Sequence, residues 1–182
     1  MKRNKKIALV SHCILNANSK VEGLSEYGGM LKDVMNYLMD EGYGIIQMPC
    51  PEMAIYGIKR WGHVKEQFDT PHFRKVSRKL FQPILEQVQD YIKNGYEVSL
   101  LIGIDKSPSC GINETCSSNE WGGYSSNGNM AEKSEKLEMI PEKGIFMDEI
   151  LKILNENEIA IKCVAIDEEN IENSLEYLKR FI

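Results

Sequence analysis

Cys13, Cys50 and Cys110 each follow a short apolar run that reads as a β-strand: KIALVS before Cys13, GIIQM before Cys50, and VSLLIGI before Cys110. In an open parallel α/β sheet every strand points the same way. Residues just past consecutive strands therefore gather at one carboxyl edge, where ligands bind at the switch point of the strand order. The pattern predicts that three thiols far apart in the chain meet in space. Thiolate sulfur is a soft ligand, so such a cluster points to a metal or an iron–sulfur centre. Three thiolates on a four-iron centre would leave one iron open. The plainer alternative is that each Cys is a small buried hydrophobe closing its strand. Pro on both sides of Cys50, and Gly111 after Cys110 permitting close backbone approach, favour the first reading.

The elements that must position these thiols alternate between strand-like and helix-like segments, the pattern of βαβ units. Strands are expected at Ile7–Ser11, Gly44–Met48, Val98–Ile104 and Ile161–Ile166. Helices are expected at Ser25–Glu41, Pro71–Asn94, Phe146–Asn157 and Glu169–Phe181, from apolar residues recurring every three or four positions. Pro83 is where the longest of them would bend. The expected fold class is α/β: one domain over residues 1–182, with a small, mostly parallel Rossmann-like sheet flanked by helices and long loops at its carboxyl edge. Glu52–Thr70 and Ser107–Gly144 break the alternation. Both follow candidate ligands directly, and loops of that length are usually functional or disordered, so they read as ordered lids over the site. Within the second, the charged stretch MAEKSEKLEM reads as a solvated face or mobile excursion.

Length and composition narrow the function classes. The chain has 182 residues, 42% hydrophobic and 27% charged, with a mean hydropathy of −0.35, values of an ordinary globular protein. No apolar stretch approaches the roughly 18 residues of a membrane span. The basic start MKRNKK is followed only by IALV before polar residues interrupt, too short for a signal-peptide core, so a cytoplasmic location is expected. A net charge of −5 and a pI near 5.3 speak against a nucleic-acid surface. Five cysteines without an export signal speak against a disulfide framework and leave metal binding or catalysis.

The spacing of the three cysteines has little specificity; the local words around them have more. They are V-S-x-C after the first strand, P-C-P-E after the second and S-P-S-C-G after the third. On these words the chain resembles the 2-thiouracil desulfidase-like family, long catalogued as a domain of unknown function. The resemblance runs best over the first two thirds, from VSHCILN through PCPE to SPSCG, and includes the α/β order. It implies a 4Fe-4S cluster on Cys13, Cys50 and Cys110 whose open iron takes the sulfur of a thiocarbonyl substrate. It also implies proton-handling roles for Glu52 and Ser109. The substrate would be a small thio-compound. After Cys13 this chain reads ILNANSKVEG where the better-known branch carries a second Cys and an Arg-Tyr-Asp-Gly stretch, so a different substrate pocket is expected.

The chemistry holds without the resemblance. Replacing C=S by C=O needs water at carbon and a departing sulfur, and an open iron is a Lewis acid for that sulfur. A carboxylate beside it can activate the water or protonate the leaving group, and a hydroxyl can relay the proton. For Glu52 the alternative is a plain carboxylate at a helix start, and for Ser109 a plain turn. Tyr56, Arg60, Trp61 and His63 in YGIKRWGH are candidates to line the pocket, or else to pack under a lid. Cys163, near the start of its strand, reads as core packing. Cys116 stays open between bystander and fourth ligand. As a fourth ligand it would close the site and make the chain a non-enzymatic iron–sulfur or zinc-binding protein. His12 reads as a residue supporting a ligand, while His63 and His72 read as lid or surface residues.

Overall fold

The computed structural model describes residues 2–123 and 129–182. In chain order the elements are β1 (Lys6–Val10), a single helical turn α1 (His12–Leu15) running into a 3-10 turn (Ala17–Ser19), α2 (Lys32–Asp40), β2 (Tyr43–Gln47), α3 (Pro51–Tyr56), α4 (Lys65–Phe68), α5 (Pro71–Lys93), β3 (Glu97–Ile104), β4 (Thr115–Ser117), α6 (Met130–Glu135), β5 (Glu138–Ile140), α7 (Ile145–Glu156), β6 (Lys162–Ile166) and α8 (Ile171–Lys179).

The four apolar strands form one sheet in the order β2-β1-β3-β6, with every neighbouring pair parallel. This is the Rossmann-like α/β arrangement expected from the sequence. The strand order reverses between β1 and β3, which makes their carboxyl ends the topological switch point. Both faces of the sheet are covered, so its strands read as near-continuous apolar runs. Ile7, Leu9, Leu101 and Ala165 pack against Phe81, Leu85 and Val88 of α5 and Phe146, Ile150 and Leu154 of α7. The alternate residues Ala8, Val10, Leu100, Ile102, Val164 and Ile166 pack against Val34, Met35 and Leu38 of α2 and Leu178 of α8. Among the described residues, no helix is long and apolar enough to cross a membrane.

Three expectations change. The helix expected over Ser25–Glu41 starts only at Lys32, because the preceding backbone is tied elsewhere: Ala17 N donates to Gly29 O at 2.6 Å and Leu31 N to Ile14 O at 2.8 Å. Glu52–Thr70 is not a loop throughout, since it carries most of α3 and all of α4. Ser107–Gly144 holds α6 and an antiparallel pair, β4 with β5; residues 124–128 of that stretch lie outside the described ones. The charged MAEKSEKLEM segment is α6 with the start of β5, and Met130, Ser134, Leu137 and Met139 within it form part of a cavity wall.

Candidate functional site

Each of the three thiols is delivered by the turn that ends its strand. Cys13 sits in α1, one turn beyond β1, and its carbonyl oxygen accepts from the Tyr27 hydroxyl at 3.1 Å. Cys50 is the N-cap of α3, with Pro51 at the first helical position, and its Sγ accepts from Met53 N at 3.4 Å. Cys110 rides on a loop that folds back onto β3, where Ile104 N donates to the Cys110 carbonyl at 3.0 Å. That fold-back requires Gly103, because a Cβ there would lie 2.5 Å from Cys110 O. Asp105 Oδ1 holds the loop's far end, accepting from Ile112 N at 3.0 Å and Asn113 N at 2.9 Å. α7 braces the near end: Phe146 N and Met147 N donate to Ser109 O at 3.0 and 3.1 Å, in place of a side-chain cap.

Cys13, Cys50 and Cys110 line one cavity of about 600 Å³ at the carboxyl edge of the sheet. Their thiols sense one another. Removal from water pushes Cys110 up to about 12, and the charge of Cys50 adds to this, against a hydrogen bond from Ser109. Desolvation also raises Cys13, with Cys110, Glu168 and Cys50 adding to it. Cys50 rises by desolvation too, opposed by the Met53 amide. Unliganded, the three hold their protons at neutral pH; a bound cation reverses that order, because it stabilises thiolates. Among the described residues, no three His, Cys, Asp or Glu side chains are grouped closely enough to hold a single metal ion.

Glu52 and Ser109 meet in the same cavity. Ser109 Oγ donates to Glu52 Oε1 at 2.6 Å, and the other carboxylate oxygen accepts from Arg60 Nε at 3.0 Å. Arg60 is itself fixed, since its second guanidinium nitrogen donates to Ser19 O at 2.7 Å. The ion pair is buried, with side-chain exposures of 11% for Glu52 and 3% for Arg60. Ser109 Oγ also stands 3.4 Å from Cys110 Sγ, so one hydroxyl touches both the carboxylate and a candidate ligand.

The remaining candidates divide. Arg60, Trp61 and His63 line the cavity; Trp61 is 83% exposed at its mouth. Tyr56 is not on the wall: its ring stacks on His63 at 4.6 Å, and His63 stacks in turn on Phe68 at 4.9 Å. His12 and His63 both line the cavity, and His12 Nε2 and His63 Nδ1 are buried without a partner among the described residues. His72 is exposed on α5. Cys116, in β4, lines the cavity with its Sγ 3.6 Å from His63 O, and burial raises its thiol to about 11. Cys163 packs against the core beneath the sheet, paired in register with Leu101, and is not on the cavity wall. Sequence reasoning missed Lys20, Trp121 and Glu168, which also line the cavity. Glu168 follows the fourth strand by two residues, the signal that singled out the cysteines, and a carboxylate there had the same topological claim.

Fold and site together define a Rossmann-like α/β protein with a thiol-lined cavity at the carboxyl edge of its parallel sheet. The chain is 46% identical over 110 residues to the uncharacterized protein MJ0003 of Methanocaldococcus jannaschii, a match spanning 60% of this chain and 70% of that protein, and it belongs to the same family. No family model matches the chain, and no solved structure matches it.

Proposed function

We propose that the protein is a desulfidase that converts C=S to C=O in a small thiocarbonyl compound, using a 4Fe-4S cluster held by Cys13, Cys50 and Cys110. One observation carries the reading. Three thiols from the ends of β1, β2 and β3 share a cavity with a hydrogen-bonded carboxylate–hydroxyl pair. The donor set suits a polynuclear centre. Thiolates on one zinc at about 2.3 Å stand only about 3.8 Å apart, whereas a four-iron cluster takes each thiolate on a different iron and spreads them. The three thiols reach one cavity from three separate strand ends, which suits a centre that takes each thiolate on its own iron. When bound, the cluster supplies a Lewis-acidic iron with an open position for sulfur.

The chain's own residues handle protons. Water adds its oxygen to the thiocarbonyl carbon, and sulfur leaves as hydrogen sulfide carrying both of water's protons. No electrons are needed. Glu52, held by Arg60 at Oε2, keeps Oε1 directed at Ser109 and accepts a proton from the attacking water. Ser109 Oγ spans from that carboxylate to the thiol-lined floor and returns a proton toward the departing sulfur. Trp121, Val64 and Ile104 place apolar groups on the same cavity wall.

Metal analysis of anaerobically purified protein tests this. About four iron and four sulfide per chain, with sulfide released from a thiocarbonyl compound, support it. Stoichiometric zinc would instead establish a closed, non-enzymatic site that recruits Cys116, the fourth thiol on the cavity wall.

A further inference from the structure

Ser11 is the polar residue of the V-S-x-C word that neither the ligand set nor the proton relay uses. It stands one position past β1, and its amide donates to Ile102 O at 2.9 Å, one step beyond the Val10–Ile102 pair. Its backbone is extended (φ −54°, ψ 140°), so the alternation of β1 continues through it and puts its side chain on the Leu9 face. Leu9, Leu101 and Cys110 pack in one cluster on that face. Gly103 alternates with Leu101, and the space where its Cβ would stand is taken by the Cys110 carbonyl, 2.5 Å away. Ser11 and Cys110 therefore lie side by side over Gly103.

A serine just before a helix ordinarily caps the first turn with its side-chain oxygen. Ser11 precedes α1, yet its side chain makes no such bond. The residue is fully buried and is not on the cavity wall, so no ligand there reaches its hydroxyl. Among the described residues Ser11 Oγ completes no hydrogen bond. It nevertheless stands close enough to the Cys110 sulfur to oppose, as Ser109 does, the rise that burial imposes on that thiol. A protonated thiol is a weak acceptor, whereas a thiolate is a charged one. Ser109 cannot serve both of its neighbours, because a hydroxyl has one proton. Glu52 Oε1 takes that proton at 2.6 Å, against 3.4 Å to Cys110 Sγ. The Ser11 proton has no such competing acceptor.

We infer that Ser11 is a positioning residue that donates a hydrogen bond to the Cys110 sulfur once that sulfur is a metal-bound thiolate, while the Ser109 hydroxyl stays on Glu52. The bond offsets the desolvation of the thiolate and draws charge from its metal, which keeps Cys110 ligated and raises the reduction potential of an iron–sulfur centre. That the metal is a 4Fe-4S cluster rests on the desulfidase reading; the donor at Ser11 does not.

The test is Ser11→Ala, which deletes the hydroxyl and adds no volume. In metal-free protein no completed bond is lost, so the urea midpoint should equal or exceed that of the wild type. In the anaerobically purified, iron-loaded protein, release of iron to a chelator should become about tenfold faster or more, the scale of a hydrogen bond to a charged acceptor. The reduction potential of the cluster should fall, while Ser109→Ala should leave it at the wild-type value. Unchanged iron release and potential in Ser11→Ala would overturn the inference. So would a metal-free variant as destabilised as the loaded one, which would make Ser11 a packing residue, or a fall in potential as large in Ser109→Ala, which would make Ser109 the donor. Should the protein carry zinc, the desulfidase reading fails and the same variant is read by zinc transfer to a chromophoric chelator: transfer about tenfold faster keeps Ser11 in its role, and unchanged transfer removes it. A protein that holds neither metal would sink both readings.

Discussion

The Ser109 hydroxyl and the Glu52 carboxylate, 57 positions apart in the chain, are joined by a buried 2.6 Å hydrogen bond that links the loop after β3 to the helix after β2. Because Ser109 Oγ lies 3.4 Å from Cys110 Sγ as well, the hydrogen-bonded pair and the candidate ligand Cys110 are one contiguous unit. Glu52→Gln keeps the shape and the hydrogen-bonding reach but removes the ionisable group. Iron content should stay at the wild-type level while sulfide release falls on the order of 10²-fold or more. Loss of iron would make Glu52 a ligand or a support, and an unchanged rate would make it a bystander.

Two cysteine variants separate ligand from core. Cys110→Ser removes one of three thiolates and should abolish the brown chromophore and the bound iron. Cys163→Ser changes a half-buried side chain packed against the core, away from the cavity, and should keep its iron at a stability cost on the order of 1 kcal/mol. The same iron content in both variants would refute the assignment.

Cys116 decides whether the site is open or closed. Its Sγ is directed at the His63 carbonyl, so with three thiolates doing the holding, Cys116→Ser should retain about four iron per chain. A drop in iron matching that of Cys110→Ser would identify it as a fourth ligand.

Gly144 marks how closely α7 approaches the Cys110 loop. A Cβ there would lie 2.4 Å from the Ser109 carbonyl carbon and 2.8 Å from Cys110 N, contacts with backbone that cannot swing aside. Gly144→Ala should lower stability by about 1–3 kcal/mol and should impair metal loading as well, because the displaced segment carries Cys110. Full loading at wild-type stability would show that the loop yields without cost.

Acid should weaken the α5–α7 contact. Burial disfavours the charged forms of Asp148 and Glu149, but hydrogen bonds from Lys152 and Arg74 to the first, and from Arg74 and Arg78 to the second, outweigh it and hold both carboxyls below their ordinary values. A carboxyl lowered on folding contributes stability above its unfolded value and loses it as pH falls through the folded one. The urea midpoint should therefore decline as pH drops below the usual carboxylate range, about 4 to 4.5. Arg74→Gln, which removes bonds of 2.6 Å to each carboxylate, should flatten that decline; an unaltered pH profile in the variant would contradict this origin.

What could be read from the chain alone followed from one regularity: apolar runs ending in chemically capable residues. Parallel strands share a direction, so a residue's place just past its strand is enough to bring Cys13, Cys50 and Cys110 to one edge, and the strand and helix runs that build that edge announce themselves by their apolar periodicity. The same rule placed Glu52 and Ser109 close to the thiols but could not pair them. Their contact depends on how two loops are folded, through Gly103, Gly144 and the Asp105 hydrogen bonds, and none of these has a periodic signature. Arg60 read as a pocket residue and does line the cavity, but its pairing with Glu52 and the second bond of its guanidinium to Ser19 O, 41 positions away, had no signal in the sequence. β4 and β5 escaped notice because strands of three residues are too short to show alternation. The Ser25–Leu31 stretch carries helix-like spacing, but backbone bonds to Ile14 and Ala17 claim the groups a helix would use. Glu168 and Lys20 became a pair facing the cavity by the same cause. Local sequence sets which segments become strands and helices through burial and hydrogen bonding within a few residues, whereas the partners of buried charges are chosen by segments that meet only after the sheet has formed.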